Sequence, residues 1–159
     1  MPNSDAAIPA APARSSARDR LVNLGWSALV ATPVFIATQL RPDTSGLGTH
    51  RQLGLPPCAF YFFTGFPCPF CGMTTSWTWA AHGQLMKSFI TQPMGFVFFV
   101  SAILLSATLA ILAVIGFPAL RPERVLPRVP RQVWWIAISA VAVAWVYKSL
   151  VVRGILVVG

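Results

Sequence analysis

Residues 94–117 contain no charged side chain. At 1.5 Å of rise per residue, a helix over this run crosses the roughly 30 Å hydrocarbon core of a bilayer. Few folds accommodate such a run. Two further runs, 21–40 and 133–152, have the same character, the last carrying only Lys148 near its end. Composition agrees: 55% of the residues are hydrophobic, 10% are charged and mean hydropathy is +0.65. A soluble domain needs roughly 25% charged residues to cover its surface. The sequence therefore predicts an all-α integral membrane protein with three transmembrane helices.

The net charge of +8, from 12 Lys and Arg against 4 Asp and Glu, raises the question of nucleic acid. The basic residues flank the apolar runs instead of lining one face of a soluble core, which is the distribution of the positive-inside rule. No nucleic-acid partner is expected; the partners are the lipid bilayer and another membrane protein.

Residues 1–20 are rich in Ala, Pro and Ser and read as a disordered cytoplasmic tail, followed by a membrane domain over 21–153. A cleavable signal peptide would have a shorter apolar region and an A-x-A-like site. The first run is longer, exits through Ala37-Thr38-Gln39-Leu40, and reads as an uncleaved anchor kinked at Pro33. A Gly- and Pro-containing connector, 41–57, leads to a segment, 58–92, that carries the cysteines. Pro67, Pro69, Gly65 and Gly72 make its first part unsuitable as a span, because lipid leaves no backbone amide unpaired. It reads as a surface or half-inserted segment ending in a short helix over 74–81. Residues 84–91 alternate apolar and polar at helical spacing, as in a helix lying in the interface. Pro93 opens the next span. Trp134 and Trp135 suit one interface, and Tyr147, Lys148 and Arg153 the other. Arg14, Arg18 and Arg20 before the first span, and Arg121, Arg124, Arg128 and Arg131 before the last, put the N-terminus and that loop in the cytoplasm. The location expected is a bacterial inner membrane, multi-pass, with 58–92 outside. Small residues at Ala102, Ser106 and Ala110, and at Ala140 and Ala144, predict close packing between the last two spans.

The chemistry-bearing stretch is Thr64-Gly65-Phe66-Pro67-Cys68-Pro69-Phe70-Cys71-Gly72-Met73-Thr74. Proline favours a first helical position, so Cys68 is expected at a helix N-cap with Cys71 close by. There a thiol has a lowered pKa, which makes Cys68 and Cys71 a candidate redox pair with Cys58 as resolving thiol. The rival is a structural disulfide, whose four-residue loop contributes only ~2 kcal/mol. Metal binding is a third possibility, with Cys58, Cys68, Cys71 and His82 as candidate ligands and His50 in place of His82 as the variant. For His82 alone, a hydrogen bond at a helix end is the simpler role. Covalent c-type haem is excluded because Gly72 stands where the histidine belongs. No cofactor site, phosphate-binding loop or catalytic triad is present, and no acidic residue lies within a span.

In its ordered motif the stretch from Cys58 to Pro93 resembles the bacterial membrane family known as domain of unknown function 2752. The matching positions are Cys58, Thr64, Gly65, Pro67, Cys68, Pro69, Cys71, Gly72, Thr74, His82, Gly83 and Pro93. Two positions depart from the family pattern: Thr75 replaces an arginine and Gln92 an asparagine. The resemblance implies a membrane architecture and brings no activity. Three functions follow: a non-enzymatic structural or accessory component whose cysteine turn docks a partner, a thiol–disulfide protein, or a metal-binding membrane protein.

Overall fold

The computed structural model describes residues 16–119 and 129–154. All regular structure there is helical: α1 (Ala17–Gln39), a 3-10 helix (Thr49–Leu53), α2 (Ala59–Thr64), α3 (Met73–Ala81), α4 (Leu85–Thr91), α5 (Pro93–Ile115) and α6 (Arg131–Val152). Helices α1, α5 and α6 are each long and apolar enough to cross a membrane.

Most of the expected tail, and with it Arg14, lies outside the described residues. Its last part is not tail at all. Ser16 caps α1, its hydroxyl accepting the Asp19 N–H while the Asp19 carboxylate accepts the Ser16 N–H. This capping box starts the helix at Ala17, so Arg18 and Arg20 lie in its first turn. Pro33 lies inside the helix, as expected. Pro93 opens α5, and Gly116, in the left-handed conformation, closes it. Arg121, Arg124 and Arg128 lie outside the described residues.

The core is inverted relative to a soluble protein. Asn23, Thr49, Thr75, Ser76, Thr78, Ser88 and Gln92 are buried, whereas many Leu, Ile, Val and Phe side chains along the long helices are exposed, with Phe99 and Leu109 of α5 the buried exceptions among the large ones. Lipid is as apolar as those side chains, so burying them gains nothing; helices associate through small residues and hydrogen bonds. Helices α1 and α5 run antiparallel and form the main interface. Ser27 donates to the Ser106 carbonyl at 2.9 Å and Ser106 donates back to the Ser27 carbonyl at 3.2 Å. This corrects the expected pairing of the last two spans: Ser106 and Ala110, with Ala107, face Ala31 and Val34 of α1. Between α5 and α6 lies instead an open apolar groove, with Val97 on one wall and Ala140 and Ala144 on the other.

The short helices fold over the end of this bundle where α1 finishes and α5 begins. Ser76 of α3 donates to the Ser88 carbonyl at 3.0 Å and to the Gln92 carbonyl at 3.2 Å, tying α3 to the α4–α5 junction. A methyl group on Gly95 would meet Ser76 Oγ at 2.9 Å, so α5 needs glycine where α3 crosses it. On α4, Leu85, Met86 and Phe89 are exposed while Ser88 is buried.

Candidate functional site

Cys58 is the N-cap of α2, its carbonyl accepting the Phe62 N–H at 2.9 Å. Helix α2 ends at Gly65 with φ +70°, which reverses the chain toward Pro67 and Cys68. Residues 68–71 then form a β-turn: the Cys71 N–H donates to the Cys68 carbonyl at 2.9 Å, with Pro69 at the position where its fixed φ is favoured. The expected N-cap at Cys68 is therefore replaced. Helix α3 opens only at Met73, with Gly72 as its cap, and the cysteine standing at a helix start is Cys58. The two segments bring the three Sγ atoms within 4.8 Å of one another, and none is disulfide-bonded.

The thiols differ in environment. Burial pushes Cys71 up to about 12, and the neighbouring Cys68 and Cys58 add to the effect. Burial also raises Cys68, only partly offset by the Phe70 amide. At Cys58 burial is outweighed by hydrogen bonding from the Tyr61 amide, the Cys68 side chain and the Phe60 amide, which holds it below the ordinary thiol value.

His82 lies outside this group. It ends α3, with its backbone N–H and its Nδ1 both directed at the Thr78 carbonyl, at 3.1 and 2.8 Å. His50, from the 3-10 helix, instead lines the cavity of about 190 Å³ next to Cys58, Cys68 and Cys71. Its Nε2 lies 3.1 Å from the Pro56 carbonyl. A carbonyl only accepts, so Nε2 is the donor in this contact.

Residues 58–106 match the family model described as protein of unknown function, DUF2752. No curated protein and no solved structure matches the chain. The resemblance read from the motif thus holds over the DUF2752 region. His50 lies before that region and α6 after it.

The two departures from the DUF2752 pattern are both buried. The Thr75 hydroxyl is 2.8 Å from that of Thr49, which fixes the 3-10 helix against α3. Gln92 donates to the Pro69 carbonyl at 3.0 Å, bracing the turn between the cysteines. No cation stands at position 75, but one arrives from α6. Lys148 is only 2% exposed. Its Nζ donates to the carbonyls of Thr91 at 2.9 Å and Gly46 at 3.3 Å. A methyl group on Gly72 would lie 3.0 Å from that nitrogen and 2.7 Å from the Gly46 oxygen, at φ +86°, so this position requires glycine twice over. Two neighbours of Lys148 fasten the same end of α6. Trp145 Nε1 donates to the Pro67 carbonyl at 2.7 Å, and the Tyr147 hydroxyl to the Ile90 carbonyl at 2.8 Å. Sequence reading assigned Tyr147 and Lys148 to an interfacial belt and missed these contacts. The available signal was Lys148 itself, a charge inside an otherwise uncharged run.

Proposed function

We propose that this chain is a non-enzymatic membrane protein that binds a thiophilic metal ion through Cys58, Cys68 and Cys71. The convergence of three sulfurs from two chain segments carries the reading. At a metal–sulfur bond of about 2.3 Å, sulfurs on one tetrahedral ion stand roughly 3.8 Å apart, and separations within 4.8 Å close onto that geometry with small shifts. His50 lines the same cavity but stands outside the group of ligand atoms within 4.8 Å, so in this reading it moves in to become the fourth ligand, starting from its Nε2 contact with the Pro56 carbonyl. Uptake of the ion displaces the thiol protons, so binding weakens as pH falls.

The site belongs, in this reading, on the outer face of a bacterial inner membrane with the N-terminus in the cytoplasm. The support is the arginine distribution: Arg14, Arg18 and Arg20 at one end of the first span and Arg121, Arg124, Arg128 and Arg131 before the last.

The test is metal content. The full chain, purified anaerobically in mild detergent, is expected to carry or take up about one equivalent of a thiophilic ion, such as zinc or cadmium, as for a single thiolate site. C58S, C68S and C71S lose it, H50A weakens it and H82A leaves it unchanged. A full chain that neither contains nor takes up such an ion overturns the reading. Cys58 favours a second reading, thiol–disulfide exchange, because it is partly exposed and its thiol is lowered. A reversible Cys68–Cys71 disulfide in cells, insensitive to chelator, decides for that one.

A further inference from the structure

Lys148 deserves a function of its own. Its ammonium has three donors. Two are committed to the Gly46 and Thr91 carbonyls, and the nitrogen stands against Gly72, next in sequence to Cys71. Gly72 and Cys71 both line the thiol cavity, so the Lys148 nitrogen stands behind its wall. A nearly fully buried cation is costly unless a negative charge faces it. Among the described residues, the anions this end of the fold can offer it are the thiolates, reached through Gly72, and Asp43, which lines a cavity with Cys58 and Cys71 and gives one carboxylate oxygen to the Ser45 N–H and hydroxyl at 2.9 and 2.7 Å.

We infer that Lys148 is the fixed counter-ion of the thiol site, and that the site is built for a divalent ion. This rests on the metal reading above and adds the charge of the ion to it. A divalent ion displaces three protons from three thiols and leaves a complex with one net negative charge, which the ammonium cancels. A trivalent centre is different. Arsenite, As(OH)3, condenses with three thiols, releases three waters and leaves a neutral trithiolate. A neutral complex gains nothing from a neighbouring cation. Lys148 is thus a positioning residue for charge, and its removal acts on one class of ion and not on the other.

The experiment titrates the full chain in detergent with cadmium, followed by its thiolate-to-metal charge-transfer absorption, and separately with arsenite. Wild type is compared with K148M, which removes charge and donors, and K148Q, which removes the charge and retains an amide donor. Both variants are expected to weaken cadmium about tenfold or more, as for loss of a partly buried charge partner, with arsenite affinity unchanged. Arsenite binding also reports that the cysteine turn is still folded. Equal weakening of both ions makes Lys148 a mere brace of the loop and overturns the inference while the metal reading stands. Unchanged cadmium affinity overturns it as well. A wild-type chain that binds neither ion removes the metal reading, and this inference with it.

Discussion

At the scale of single residues, the site depends on how differently three identical thiols are held. Cys58 is partly exposed, with its thiol below the ordinary value because amide and thiol donors outweigh burial; Cys71 is buried and pushed up to about 12. Only the thiolate reacts, so in metal-free protein at neutral pH Cys58 is the first to be alkylated and Cys71 the last. Mass spectrometry of timed iodoacetamide labelling checks the order. Raising the pH speeds Cys58 before Cys68, because its thiolate forms at lower pH. Labelling of Cys71 ahead of Cys58 would contradict these environments. Gly72 is the second sensitive residue. Gly72→Ala combines φ +86° with a Cβ 2.7 Å from the Gly46 carbonyl. A strained conformation of that kind costs of order 1–3 kcal/mol before the clash is counted. The expected result is a lower Tm in detergent together with weakened cadmium binding, while Gly83→Ala, where a Cβ meets nothing within 4 Å, leaves cadmium binding intact.

At the scale of elements, polar side chains decide which helices meet. The pairing of α1 with α5 rests on reciprocal serine bonds between Ser27 and Ser106. Interhelical hydrogen bonds in membranes average about 0.6 kcal/mol, so Ser27→Ala alone should be nearly silent. Ser106→Leu is different, since its bulk separates backbones that approach closely. We expect it to abolish disulfide cross-linking between cysteines introduced at Ala31 and Ala107, which line one cavity between the two helices. Undiminished cross-linking would mean that the small-residue contact does not hold the pair. Helix α6 is fastened differently, at the cysteine end, through Trp145, Tyr147 and Lys148 to the carbonyls of Pro67, Ile90, Thr91 and Gly46. Each contact reaches a backbone oxygen of the short segments, so α6 braces the site more than it packs on its neighbouring span.

At the scale of the whole molecule, the three apolar helices and the arginine pattern make a topological prediction. Reporter fusions at Arg51 and at Arg128 should report opposite sides of the membrane, with Arg128 inside; finding both on one side would break the three-span arrangement. Much of this architecture was legible in advance because it is local. An uncharged run of sufficient length has one stable solution in lipid, and Pro93 and the amphipathic residues 84–91 mark helix boundaries through their own local preferences. The closeness of Cys68 and Cys71 was legible for the same reason, since Pro69 acts on its immediate neighbours. What remained hidden depended on partners distant in sequence. The ridge containing Ser106 pointed equally well to α6 as to α1, because a small residue marks a close approach without specifying its partner. Cys68 read as a helix cap because nothing local revealed that Gly72, pressed against Gly46, would open α3 instead. Lys148 read as an interfacial charge, and only the folded chain turns it inward against the loop that carries Cys71. Length and hydropathy, summed along the chain, determined that this protein has three helices able to cross a membrane, and where they lie. The convergence of Cys58, Cys68 and Cys71, with His50 on the same cavity and Lys148 against Gly72, was decided by tertiary structure alone, because hydrogen bonds from α6 and α3 to carbonyls far away in sequence leave no periodicity behind.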